Sequence, residues 1–208
     1  MNIKIIDNFF NGEDFSKIKS INLEKVDSNK IRVYHNSIDR YNKITNDCIS
    51  SELILHIHKS YHDKAFGLLN ELNPLKAKLY DYTDLVLIET GARYKFPIHD
   101  DTPNKLLSGV IYIKPEKNSG TNFYKSKSGR EKRKIEWKTN RGVFFSRKER
   151  TTWHSYEGDG ISNRVVLVYN LMTNSIKEVY KIEDKSYFFG QLRHKINPHL
   201  YRFFKTII

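Results

Sequence analysis

Apolar residues in the first third of the chain recur at helical spacing. Between Ile49 and Leu72 they fall at steps of three and four residues, which predicts an amphipathic helix with one side facing a core. The apolar positions of this helix are Leu53, Ile54, Ile57, Tyr61, Ala65, Leu68 and Leu69. The sequence NPLK at 73–76 predicts its end. Residues 2–10 are typical of a short strand, and residues 11–20 of a turn that leads into a helix.

The pattern changes after residue 76 to short runs of β-branched and aromatic residues. Turn-forming clusters such as DTPN, EKNSG, SKSG and EGDG separate these runs. The runs are AKLYDYTDLVLIET, LLSGVIYIKP, TNFYKS, KIEWKT, RGVFFSR and NRVVLVYNLMT. Strands at this spacing, without helices between them, predict an antiparallel barrel or a double-sheet jelly roll. The expected fold class is mainly β with supporting helices (α+β), and the N-terminal helices are expected to pack on one sheet.

The chain is expected to form one domain. Its 208 residues suffice for one well-buried core. It contains no repeat, no low-complexity tract and no linker rich in proline, glycine or serine. We therefore expect a single domain over 1–208. It would comprise an N-terminal strand and supporting helices (1–76), a jelly-roll core (77–175) and a C-terminal helical extension (176–208).

Composition narrows the class of protein. Hydrophobic residues make up 38% of the chain and charged residues 29%, which is typical of a folded chain. The only cysteine, Cys48, excludes an internal disulfide and a zinc site built from cysteines, and it favours a reducing compartment. The start of the chain lacks a secretory signal pattern, and no apolar stretch approaches the roughly 20 residues that span a bilayer. A cytoplasmic protein is expected.

The formal net charge of +12 has two explanations. A lysine-rich codon bias would raise it without function, whereas an anionic partner such as nucleic acid, lipid headgroups or an acidic substrate would make use of it. The basic run at 124–134 is either a solvated hairpin tip or a lid that selects an anionic substrate. The aromatic and basic segment 187–206 is either a packing or dimer segment or a membrane-surface contact.

The chemistry-bearing residues cluster in the strand-rich part. His99 and Asp101 are two residues apart in an extended segment, so their side chains project to the same side. A second histidine, His154, follows 55 residues after His99 and comes directly after an aromatic residue. Two histidines and one carboxylate on one side of an ion are the facial arrangement of non-haem Fe(II) oxygenases. Arg164 enters an apolar strand, where a guanidinium needs an anionic partner such as a carboxylate.

This pattern of His99, Asp101, His154 and Arg164 resembles the motif of 2-oxoglutarate/Fe(II)-dependent oxygenases, most nearly the prolyl 4-hydroxylase-like branch. The resemblance covers roughly 85–172, with a weaker match at IIDNFF. It implies a double-stranded β-helix in which the three ligands hold Fe(II). It also implies that Arg164 and Tyr112 hold the far carboxylate of 2-oxoglutarate, with ascorbate as a candidate reductant.

The activity implied by this resemblance is hydroxylation of an unactivated C–H bond in a peptide side chain or small metabolite, with release of succinate and CO2. One alternative is oxidation or demethylation of nucleic acid by the same chemistry. Another is a non-catalytic, cupin-like metal-binding module. The alternative without a metal is that both histidines are surface residues in turns and that Arg164 is a charge on an edge strand.

Two further features have simpler explanations. His56, His58, His62 and Asp63 could form a second metal cluster, but with lysines on the same helix a solvated face is the expected environment. Trp153, directly before His154, is expected to be a packing residue and not a substrate contact.

Overall fold

The fold, described here for residues 1–192 in a computed structural model, has four helices and eleven strands. The helices are α1 (Gly12–Lys19), α2 (Ser51–Leu72), α3 (Pro74–Ala77) and α4 (Ile176–Ile182). The strands are β1 (Lys4–Ile6), β2 (Ile31–Asp39), β3 (Ile44–Asn46), β4 (Tyr82–Thr90), β5 (Lys95–His99), β6 (Lys105–Lys114), β7 (Thr121–Tyr124), β8 (Arg133–Ile135), β9 (Gly142–Ser146), β10 (Trp153–Glu157) and β11 (Arg164–Met172). Residues 187–192 are also helical.

The strands form two antiparallel sheets. The larger has seven strands in the order β1-β9-β6-β11-β4-β2-β3, and the smaller has four in the order β5-β10-β7-β8. Strands distant in sequence are neighbours in each sheet, as in a jelly roll. The predicted jelly-roll, double-stranded β-helix architecture is therefore confirmed.

The N-terminal helices pack on the larger sheet. Helix α2 contacts β2, β9 and β11, and α1 contacts β6. The side chain of Ser50 caps α2 by accepting a hydrogen bond from the Leu53 amide. At the other end Asn73 precedes Pro74, which cannot continue the hydrogen bonding of α2. The buried face of α2 contributes Ile54, Ile57, Tyr61, Ala65 and Leu69 to the main core.

A second, smaller core lies between the two sheets. Its fully buried members come from strands of both sheets: Tyr112, Phe123, Ile135, Val143, Phe145 and Val166. Successive side chains of a strand point to opposite faces, and directly opposed residues of an antiparallel pair share a face. One set of alternate residues of β6, β9 and β11 therefore points to the helices, and the other set points to this inter-sheet space. The inter-sheet space is where the candidate site lies.

Two parts of the chain differ from or extend beyond the prediction. Strands β2 and β3 lie between the two predicted N-terminal helices and were not expected, although β2 pairs with β4 along nine residues. The predicted C-terminal extension is helical at α4 and at 187–192, and the rest of it lies outside the described residues. Within 1–192, no helix combines the length and the apolarity that crossing a membrane requires.

Candidate metal centre

His99, Asp101 and His154 converge at one point. His99 ends β5 and pairs directly with His154 at the start of β10, and their ring centroids are 4.2 Å apart. Asp101 follows β5 by two residues. One ligand atom from each of the three side chains lies within 4.8 Å of the other two. Within residues 1–192, these three residues are the only group of three or more histidine, cysteine, aspartate or glutamate side chains close enough to share an ion.

Backbone carbonyls orient both imidazoles. The Nδ1 of His99 lies 2.9 Å from the carbonyl oxygen of Pro97, and the Nδ1 of His154 lies 2.9 Å from that of Thr152. Because a carbonyl only accepts hydrogen bonds, each Nδ1 carries the proton, and each Nε2 keeps a free lone pair. A metal-ligating histidine is held in the same way in known sites. The Nε2 of His154 is 4.0 Å from Oδ2 of Asp101.

Asp101 is buried and is held in its ionised form. Lys105 Nζ donates to its Oδ1 at 2.7 Å, and Ser108 Oγ donates to its Oδ2 at 2.6 Å. Burial acts to raise the pKa of Asp101, but Lys105 and the two imidazoles outweigh it and lower that pKa. Burial, with a contribution from His154, lowers the pKa of His99 to about 3, so its imidazole is neutral and available as a ligand at neutral pH.

The segment that carries Asp101 is fixed from outside the centre. The Asp100 carboxylate accepts a hydrogen bond from the backbone amide of Arg150, with an N–O distance of 2.8 Å. Arg147 Nε donates to the Asp101 carbonyl at 3.1 Å, and its Nη1 lies 2.8 Å from Oε2 of Glu183. The position of Asp101 is therefore coupled to strand β9 and to the end of α4.

Arg164 is a buried cation that has no acidic partner within residues 1–192. It is 4% exposed, and the guanidinium carbon lies 3.8 Å from the ring centroid of Tyr156, 5.4 Å from that of Tyr112 and 5.6 Å from that of Trp137. Its Nε has no hydrogen-bond partner among the residues that the structure describes. Burial lowers the pKa of Arg164, and phenols, not carboxylates, oppose that effect. A cation in this environment is costly unless an anion joins it.

Tyr112 lies beside Arg164, but its hydroxyl is already engaged. It donates to Thr121 Oγ1 at 2.9 Å and accepts the Thr121 amide at 3.0 Å, while the ring stacks on Trp137. The aromatic residue nearest to Arg164 is Tyr156, which the sequence analysis did not single out. Its position two residues after His154 on a strand was an available signal, because such residues share a face.

The remaining candidates occupy other places. Trp153 pairs with Tyr124 on the face of β10 opposite to His154, in agreement with a packing role. The basic run 124–134 forms the connection between β7 and β8, and a side chain built on Gly129 would approach Ile98 of β5 at 3.4 Å. The tip of this loop therefore lies near the strand that carries His99.

The prediction that the histidines of α2 form a solvated face is wrong for His58, which is only 3% exposed. Its ring centroid lies 4.8 Å from that of His62, and neither Nδ1 has a hydrogen-bond partner in the described ranges of the chain. His56 is different, since it is exposed and lies 2.8 Å from Asp14. The apolar spacing of the helix did not distinguish these histidines, because His58 is adjacent to Ile57 at the edge of the buried face.

Comparison with known proteins gives matches in structure and none in sequence. No protein-family model matches the chain, and no curated protein does. A prolyl-4-hydroxylase from Pseudomonas putida is 12% identical, with a TM-score of 0.56 over 83% of this chain and 93% of its own. An oxidoreductase of the 2OG-Fe(II) oxygenase family from Burkholderia pseudomallei is 14% identical, with a TM-score of 0.55 over 82% and 84%. The chain has the fold of the 2OG-Fe(II) oxygenases.

A third structural match has a similar extent. The protein IDO from Bacillus thuringiensis is 14% identical, with a TM-score of 0.54 over 83% of this chain and 90% of its own. At such identities the likeness concerns the path of the chain. The 2OG-Fe(II) oxygenase fold thus spans most of the chain.

Proposed function

We propose that this protein is a 2-oxoglutarate- and Fe(II)-dependent dioxygenase that hydroxylates an unactivated C–H bond in a peptide side chain or small metabolite. The observation that carries the proposal is the combination of two features in one inter-sheet space. His99, Asp101 and His154 converge there, and Arg164 brings a buried charge that has no acidic partner among the described residues. The oxygenase fold supports the same conclusion.

The donor set fits Fe(II). Two imidazole Nε2 atoms and one carboxylate would bind one side of the ion and leave the opposite side for other ligands. When bound, Fe(II) with 2-oxoglutarate supplies the activation of dioxygen, with release of succinate and CO2. The chain's own contribution is to hold the ligands in place. Lys105 and Ser108 keep Asp101 ionised and oriented, and the Pro97 and Thr152 carbonyls fix both imidazoles.

Arg164 fits the far carboxylate of 2-oxoglutarate. A guanidinium binds a carboxylate through two parallel hydrogen bonds, and those bonds are strong where water is excluded. The rings of Tyr156, Tyr112 and Trp137 exclude water on the sides that face them. A metal-binding module without a co-substrate would bear the cost of burying Arg164 with nothing to offset it, and this favours the enzyme over the cupin-like alternative.

The apolar residues around the centre limit both the access of water and the rotation of the imidazoles. Phe96 lies 4.4 Å from the His99 ring, and Phe145 lies 5.0 Å from the His154 ring, measured between centroids. Phe123 contacts His154 from the smaller sheet, with its centroid 5.8 Å away. These contacts limit rotation of the histidines, so the geometry of the ligands is set before an ion binds.

Succinate formation without a primary substrate tests the proposal. Purified protein given Fe(II), 2-oxoglutarate and dioxygen is expected to release succinate slowly, since oxygenases of this class turn over without coupling to a substrate. The variants His99→Ala and Asp101→Ala are expected to reduce the rate at least 100-fold (about 2.7 kcal/mol).

The matched control is His56→Ala, which removes an exposed histidine from α2 and should leave the rate unchanged. Wild-type protein that releases no succinate, or a His99→Ala variant as active as the control, would contradict the assignment of the centre.

A further inference from the structure

A row of polar side chains crosses the larger sheet next to the candidate centre. Ser37 of β2 pairs with Asp84 of β4, Asp84 with Asn170 of β11, and Asn170 with Ser108 of β6. Directly opposed residues in antiparallel pairs project to the same face. Ser108 donates to Asp101, so that face is the one that bears the metal centre. With strands about 4.8 Å apart, the row extends roughly 15 Å from Ser108.

The middle of this row has hydrogen-bond acceptors to which no donor within residues 1–192 is bonded. Asn170 is 3% exposed, and its Oδ1 has no hydrogen-bond partner in the described part of the chain. A buried acceptor left without a donor is destabilising, and such groups in native structures call for an explanation. Along β11 its neighbours on this face, Val168 and Met172, are apolar, so the polar neighbours of Asn170 are the opposed Asp84 and Ser108.

Asp84 adds a carboxylate beside Asn170. Ser37 Oγ donates to its Oδ1 at 2.5 Å, and His35 Nε2 lies 3.1 Å from the same oxygen. Within residues 1–192 both of these contacts go to Oδ1, so Oδ2 is left to accept from a further donor. Side chains of directly opposed residues have Cβ atoms about 4.5–5.5 Å apart, and one donor group can therefore reach both Asn170 Oδ1 and Asp84 Oδ2.

We propose that Asn170 and Asp84 form the substrate-binding wall of this site and that they bind a protonated nitrogen, an ammonium or guanidinium group. The wall offers two acceptors and one negative charge, and a charged donor makes hydrogen bonds about twice as strong as a neutral one. The local charge is opposite in sign to the net charge of the chain. This inference rests on the proposed function only in assigning the bound cation to the substrate of that enzyme.

Methionine NMR provides a local probe of this wall. The chain has two methionines, and Met172 lies two residues after Asn170 on the same face, whereas Met1 is at the exposed N-terminus. Full-length protein with 13C-labelled methionine methyl groups is titrated with butylammonium and with butylguanidinium. Both cations are expected to shift the Met172 signal in a saturable way and to leave Met1 unchanged. Butanol and butyrate, of similar shape, are expected to leave Met172 unchanged.

Two variants separate binding at the wall from general effects of charge. Asp84→Asn and Asn170→Leu are each expected to weaken cation binding at least tenfold. Asn170→Leu replaces an unpartnered acceptor with an apolar group of similar size, so it is expected to fold. Glu52→Gln, which removes an exposed acid from α2, is the control and should bind as wild type.

Three results would overturn the inference: no saturable shift of Met172, an equal shift with butanol, or variants that bind as tightly as wild type. The titration uses neither iron nor 2-oxoglutarate. Succinate formation without cation binding would therefore reject the wall alone, and cation binding without succinate formation would reject the proposed function alone.

Discussion

Single residues of the centre owe their properties to neighbours that sequence spacing does not identify. The spacing of His99, Asp101, His154 and Arg164 predicted which side chains could meet, because strand periodicity fixes the direction in which they point. It did not identify Ser108, which lies seven residues from Asp101 and binds it only because β6 returns beside that loop. Tyr156 was missed for the same reason, since its contact with Arg164 joins strands of two different sheets.

At this scale, replacement of Arg164 separates stability from co-substrate binding. Without ligands, the free energy of unfolding of Arg164→Met is expected to lie within about 1 kcal/mol of the wild-type value. The reason is that an apolar side chain of similar length removes a buried charge that has no acidic partner within residues 1–192. With Fe(II) present and dioxygen absent, 2-oxoglutarate should raise the Tm of wild type and have little effect on the variant.

The matched ligand is 2-oxopentanoate, which has a methyl group in place of the far carboxylate. Wild type is expected to prefer 2-oxoglutarate to this ligand, and the variant to bind both alike. A variant that keeps the preference for 2-oxoglutarate would show that another group holds the carboxylate.

At the scale of elements, helix α2 and strand β2 show where periodicity succeeds and fails. The helix was predicted within two residues of its start because its apolar positions recur at steps of three and four. Strand β2 was missed because its sequence, IRVYHNSID, mixes apolar and polar residues on both faces. Polar residues occur on both faces because β2 lies near the edge of the sheet. There, Asn36 and Ser37 form hydrogen bonds to β4, and Asn36 also accepts one from the loop after β3.

His58 on α2 gives a testable pH dependence. Burial, with smaller contributions from His62 and Lys59, lowers its pKa from 6.5 to about 4. The folded protein therefore keeps this imidazole neutral, while the unfolded chain takes up a proton below pH 6.5. Its stabilising effect is complete above pH 6.5 and is lost as the pH falls toward 4, with an upper size of about 3 kcal/mol.

Denaturant unfolding of wild type and His58→Gln between pH 7 and pH 4 measures this effect. The free energy of unfolding of wild type should fall by up to about 3 kcal/mol more than that of the variant over this range. Parallel curves would mean that His58 is accessible to protons in the folded state.

At the scale of the whole molecule, a buried network joins α3 and α4 to the candidate centre. Lys76 of α3 and Arg147 after β9 both bind Glu183 at the end of α4, and all three side chains are buried. Arg147 also binds the Asp101 carbonyl, so this network connects helices on the outside of the fold to a candidate ligand. Such connections depend on the packing of distant segments, and no local pattern in the sequence predicts them.

The net charge of the chain is a poor guide to the site. The excess of lysine and arginine is distributed over the surface, where Lys17, Lys30 and Lys138 form exposed ion pairs. The inter-sheet space instead contains specific charges: an ionised Asp101, an Arg164 without an acidic partner in the described part of the chain, and the Asp84 carboxylate. Under the proposed function, we expect these few groups, and not the overall charge, to select the substrate.

An anaerobic titration with Fe(II) and 2-oxoglutarate tests most directly whether His99, Asp101 and His154 hold one ion that also binds the co-substrate. A 2-oxo acid that chelates Fe(II) gives a visible charge-transfer band. The account predicts this band in wild type, with one Fe(II) and one 2-oxoglutarate per chain, and its loss in His99→Ala. Wild-type protein without the band, or a His99→Ala variant that gives the same band at the same stoichiometry, would contradict it.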